Sequence, residues 1–149
     1  GDVLSPVLAT GHFEWVLVTC AEGLSTPEVF MQLDRHRAEH SIDIETVPVD
    51  PSVDAELLHA LRAGDAVALA EYVRNDLQAA ALQLKPELGD LLEFGETHGA
   101  LAGLVSGSGP TLAFLAEDDT AALDLVAAFT AERRHAMRVM SPVHGARVR

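Results

Sequence analysis

The stretch with the clearest chemical potential is Ser106-Gly107-Ser108-Gly109-Pro110-Thr111. Two glycines two apart permit backbone angles that a side chain forbids, and they let the main chain approach a ligand closely. Successive N–H groups in such a turn can converge on an anion such as a phosphate. The same six residues can equally serve as a tight hairpin loop in which the glycines supply only the positive φ. Neither Ser106 nor Ser108 has a nearby histidine to act as general base, which argues against a covalent nucleophile.

Other candidate groups carry less. The seven histidines show no metal-ligand spacing, and no H-E-x-x-H or cysteine pair accompanies them, so no metal site is expected. The single cysteine, Cys20, excludes a disulfide framework within the chain and fits a reducing cytoplasm. With no basic residue beside it in sequence, Cys20 reads as a packed strand residue. No pair of carboxylates is spaced for acid–base work.

The elements that must position the loop follow from periodicity and punctuation. His12–Cys20 is almost continuously apolar and suits a central strand buried on both faces. Ser25 or Thr26 can cap a helix with Pro27 at its first position, which Val29, Phe30 and Leu33 line and Arg35, His36 and Arg37 close. Residues 38–52 lose the pattern, hold two prolines and several acids, and predict a mobile acidic loop. A helix then begins at Asp54 and stops at Gly64, and Asp65 caps another over Ala66–Arg74. Asn75 and Asp76 read as a cap or as a polar pair facing a ligand, ahead of an alanine-rich run to Leu84. Pro86 opens a helix with Leu88, Leu91 and Leu92 inward, which His98-Gly99 closes. Leu101–Val105 and Leu112–Leu115 predict the two strands that flank the glycine loop. Asp118 or Asp119 caps a helix carrying Leu123, Val126 and Phe129. A last strand, Ala136–Val143, alternates Met137 and Val139 with Arg138, as on an edge.

This order predicts an α+β fold: a ferredoxin-like sandwich with a mostly antiparallel sheet and helices on one face. The 149 residues, 48% of them hydrophobic, suit a single domain with one core. A formal charge of −13 argues against a nucleic-acid groove, although a cluster of N–H groups can still hold a small anion. No apolar run is long enough to span a membrane.

Three segments together, Trp15–Phe30 (WVLVTCAEGLSTPEVF), Asn75–Leu88 (NDLQAAALQLKPEL) and Leu101–Leu115 (LAGLVSGSGPTLAFL), resemble the C-terminal half of a GHMP kinase. S-G-S-G-P-T is similar to the third motif of that superfamily. The S-T-P-x-V-F and N-D-L…P-E-L runs are similar to its branch acting on 4-diphosphocytidyl-2-C-methyl-D-erythritol, in non-mevalonate isoprenoid synthesis. The resemblance implies ATP and Mg²⁺ in the intact enzyme, neither held tightly by this half. It also implies a partner N-terminal domain bearing the ATP loop and a catalytic aspartate. Nothing here matches the P-x-x-x-G-L-G-S-S or G-A-D-V-P segments of that domain, so no catalytic residue is expected in this chain. Gly1-Asp2 resembles the end of the turn that precedes the family's first C-terminal strand, so a C-terminal fragment, inactive alone, is the expectation.

By the same resemblance Thr26, Pro27 and Phe30 flank the substrate, the last two as an apolar wall. Ser106, Gly107, Ser108 and Gly109 face nucleotide and substrate phosphates. The rival expectation is a stand-alone ferredoxin-like module that binds a small ligand or dimerises.

Overall fold

The apolar run around Trp15 forms an interior strand, because it can bury both of its faces. The computed structural model describes residues 7, 9–39 and 53–143. Within them the order is β1 (Phe13–Thr19), α1 (Thr26–Glu39), α2 (Ala55–Ala63), α3 (Ala66–Ala70), α4 (Gln78–Leu84), α5 (Glu87–Thr97), β2 (Ala102–Val105), β3 (Leu112–Ala116), α6 (Asp119–Ala131) and β4 (His135–Ser141). The strands form one antiparallel sheet in the order β2-β3-β1-β4. That is the strand order of a ferredoxin-like sandwich, so the expected α+β architecture is present.

Alternation along the strands divides the core in two. Val16 and Val18 of β1 share a face with Leu112 and Phe114 of β3 and with Val105 of β2. Val29 and Leu33 of α1, Ala80 and Ala81 of α4, Leu88 and Leu92 of α5, and Leu125 and Phe129 of α6 pack on that face. Phe13 and Leu115 point the other way and meet Ala60 of α2 and Leu69 of α3. The short α2–α3 pair therefore covers part of the reverse face, in addition to the main helical layer.

The helix starts follow the capping residues. The carboxylates of Asp54, Asp65 and Asp118 accept from the N–H groups of Glu56, Ala68 and Ala121 at 2.8–2.9 Å. Gly64 ends α2 in the left-handed region. Three boundaries differ from the sequence reading. Helix α1 runs on through Ala38 and Glu39, so the expected loop does not begin at 38, and residues 40–52 lie outside the described residues. Helix α3 ends at Ala70 rather than Arg74, because Tyr72 and Val73 donate three residues back, to Leu69 and Ala70, and tighten the chain into turns. β4 begins at His135 and stops at Ser141, since Pro142 has no N–H for the ladder.

Phe114 fixes α5 to the sheet. A Cβ on Gly95 of α5 would lie 2.2 Å from its ring, and one on Gly103 of β2 would lie 2.8 Å away. The ring also packs against Phe129 with centroids 5.1 Å apart. At the far edge Arg138 forks onto Glu14, with Nε donating to Oε2 at 2.7 Å and Nη2 to Oε1 at 3.0 Å, and it reaches Asp119 of α6 at 2.6 Å. The guanidinium bond holds the Glu14 carboxyl below its usual range against the opposing effect of burial. Among the described residues no helix is long and apolar enough to cross a membrane.

Two outcomes follow. Helix propensity alone would make Gly95→Ala stabilising by about 1 kcal/mol. The Phe114 contact reverses the sign, and denaturant unfolding should show a loss of about 1–3 kcal/mol. Because the Glu14 pKa is lowered on folding, its contribution is present above the ordinary value of 4.5 and is lost as pH falls through the lower folded value. In thermal melts, Glu14→Gln should therefore be less stable than the parent at neutral pH, with the gap closing in acid.

Candidate functional site

The glycine loop between β2 and β3 is held from two directions. Its own bonds are few: Ser106 N–H donates to the Thr111 carbonyl at 2.8 Å, and Gly109 N–H to the Ser106 carbonyl at 3.0 Å. The rest comes from the lead-in to α4. The Asn75 amide nitrogen donates to the carbonyls of Val105 and Gly107, both at 2.7 Å. The Asn75 amide oxygen accepts from Leu77 N–H at 3.1 Å, and Gln78 Oε1 accepts from Val105 N–H at 3.0 Å. Asn75 is thus both the local cap expected of it and a clamp on the loop, while Asp76 is exposed beside it.

The two glycines do different work. Gly109 (φ +78°) lies against the core, where a Cβ would come within 2.9 Å of Val105 Cγ1 and 3.4 Å of Leu24 Cδ1. Gly107 (φ +60°) has open space where its Cβ would be. Both need the left-handed region, but only Gly109 also needs the missing volume. Among the described residues, the N–H groups of Gly107 and Ser108 donate to nothing. The Ser106, Gly107 and Thr111 carbonyls each accept a hydrogen bond, while the N–H groups of Gly107 and Ser108 stay open to an anion.

The second wall is the start of α1. The Ser25 carbonyl accepts from Val29 N–H at 3.0 Å, so Thr26 occupies the first helical turn and its side chain is free for other contacts. Its hydroxyl meets the Ser108 hydroxyl at 2.8 Å. This bond joins two segments 82 residues apart and brings the sequence-predicted residues together. Pro27 is exposed, and Phe30 leaves half of its surface (51%) uncovered while its neighbour Val29 is fully buried. An exposed phenyl one turn into the helix is an apolar surface that the core does not use.

Cys20 sits at the end of β1 near this wall. Burial pushes its thiol up, as a packed residue requires, although Lys85 and Arg134 approach it from other elements and act in the opposite sense. Sequence reasoning missed that approach, which local sequence does not encode. It also missed the grip of Asn75 and Gln78 on the loop. The only available signal was two amide side chains three apart ahead of a helix.

The chain is 56% identical over 148 residues to a 4-diphosphocytidyl-2-C-methyl-D-erythritol kinase of Leifsonia xyli, covering 99% of this chain and 48% of that protein. It is 55% identical to the enzyme of that name from Clavibacter michiganensis, covering 99% and 47%. The chain therefore spans about half the length of the curated relatives it matches. A crystal structure of 4-(cytidine 5'-diphospho)-2C-methyl-D-erythritol kinase superposes with a TM-score of 0.66 at 26% identity, covering 89% of this chain and 44% of that one. Mevalonate kinase of L. major shares the fold at a TM-score of 0.69 and 20% identity, over 97% of this chain and 47% of that one. The model of the family described as GHMP kinases C terminal matches residues 57–135, more than half of the sequence, from α2 through the glycine loop to the start of β4. The chain belongs to the GHMP kinase C-terminal family.

Proposed function

We propose that this chain is the substrate-side half of an ATP-dependent kinase that phosphorylates the 2-hydroxyl of 4-diphosphocytidyl-2-C-methyl-D-erythritol, a cytoplasmic step of isoprenoid precursor synthesis. The observation that carries the reading is the Thr26–Ser108 hydrogen bond, which sets the exposed Phe30 surface and the glycine loop side by side. The relatives of 55–56% identity support the choice of substrate.

In this reading the free N–H groups of Gly107 and Ser108 bind phosphate oxygens, with Ser106 and Gly109 shaping the turn around them. Thr26 orients Ser108, and Pro27 with Phe30 offers the apolar wall for the substrate. Phosphoryl transfer depends chiefly on alignment and on neutralising charge, which a clamped loop serves better than a mobile one. ATP supplies the phosphoryl group, and Mg²⁺ offsets charge on its oxygens. The nucleotide loop and the catalytic aspartate are assigned to an N-terminal partner domain.

The test joins this chain to the N-terminal half of the Leifsonia xyli relative. The chain alone should give no turnover. The folded chimera should transfer phosphate from ATP to the diphosphocytidyl substrate, and a folded chimera that fails while its parent works sinks the proposal. Within an active chimera, Phe30→Ala should raise KM about tenfold with little change in kcat, because it removes binding surface only. Asn75→Asp keeps the acceptor for Leu77 but turns a carboxylate on two carbonyls. It should lower kcat by about tenfold or more through a displaced loop.

A further inference from the structure

A second site stands at the same end of the sheet, and it shares no residue with the glycine loop or the start of α1. Helix α6 closes in a Schellman motif: Arg134 N–H donates to the Phe129 carbonyl and Arg133 N–H to the Thr130 carbonyl, both at 2.9 Å. The residue at the left-handed position of that motif is ordinarily glycine. Here it is Arg133 at φ +57°, the one non-glycine residue with positive φ among the described residues. A costly backbone position has been given to the bulkiest cation.

The side chains around that turn have a common character. Arg133, Arg134 and His135 line a pocket of about 310 Å³, together with Thr19, Cys20 and Ala21 from the end of β1. Neither arginine has an ion-pair partner among the described residues. The His135 ring is steadied by Thr19, with Nδ1 and Oγ1 3.2 Å apart. The nearby carboxylates Glu22 and Glu87 are engaged by Lys85 at 3.4 and 3.2 Å. Arg134 stands between this pocket and a neighbouring one, which it lines with Glu87, Asp90 and Glu132 without forming an ion pair to them. The Cys20 thiol, pushed up by burial, adds a neutral wall. In a chain of charge −13, two guanidiniums without an ion pair on one pocket are a local concentration of positive charge.

We propose that this pocket binds a phosphate-class oxyanion, with Arg133 and Arg134 as its forked donors and the Thr19 and His135 side chains completing the wall. Planar guanidiniums match phosphate oxygens two at a time. The volume accommodates a phosphate with a small organic body. The inference stands on the α6–β4 turn and does not rest on the kinase reading.

The test is a titration of the ¹⁵N-labelled chain with inorganic phosphate at constant ionic strength, followed by amide shifts. Saturable shifts are expected at Thr19–Ala21 and Arg133–His135. Arg133→Gly is the informative variant, because glycine suits the left-handed position. Its Tm should rise by about 2–4 °C, which shows the fold intact, while phosphate affinity falls about tenfold or more. Arg134→Gln should weaken binding similarly. Unchanged affinity in Arg133→Gly, shifts confined to Gly107 and Ser108, or shifts that never saturate would each overturn the proposal.

Discussion

The position of the glycine loop depends on a steric fit some distance from it, the Phe114 ring against two glycines. The ring fills the space that Cβ atoms would take on Gly95 and Gly103, so α5 can lie against the β2–β3 pair more closely than ordinary side chains allow. Close packing of this kind tolerates little adjustment. It ties α5 to the β2–β3 hairpin, and the hairpin carries the loop. The amides of Asn75 and Gln78 then fix the loop's conformation at the position so determined. Packing places the site, and hydrogen bonds shape it.

The two devices differ in how visible they are in the sequence. The strands were legible because apolar runs bounded by glycine and aspartate leave little choice, and all four lie close to where periodicity put them. The caps at Asp54, Asp65 and Asp118 were legible because a short carboxylate ahead of an apolar helix has one common use. The end of α3 was not legible. Glu71, Tyr72, Val73 and Arg74 follow Ala70 with no glycine or proline to break the helix, and the turns at Tyr72 and Val73 answer to the reverse-face packing of that segment.

The site shows the same division. Ser106–Gly109 and Thr26–Phe30 could be singled out by residue type and by resemblance, since glycine spacing and a proline-opened helix are local patterns. Their meeting through Thr26 and Ser108 is a property of the fold, as is the reach of Asn75 to Gly107 across 32 residues. The cap role of Asn75 could be read locally; its clamp role needed the hairpin in place. Charge behaved alike. The approach of Lys85 and Arg134 to Cys20 arises from three separate elements, and no window of sequence contains it.

The pairing of β1 with β4 bears on how the chain reaches this arrangement. The hairpin strands flank a loop of a few residues, whereas the Thr19 and His135 side chains meet from 116 positions apart and those of Trp15 and Ser141 from 126. Loop-closure entropy grows slowly with length, yet a separation larger by more than tenfold adds about 2 kcal/mol to the cost of forming the first contact. The strand at the centre of the sheet is therefore the one whose outer neighbour comes at the greatest entropic cost. Local order in the hairpin is accessible early, and the central strand is enclosed on both sides only when the last element of the chain has been made. Such high contact order places this small domain among the slower folders of its size.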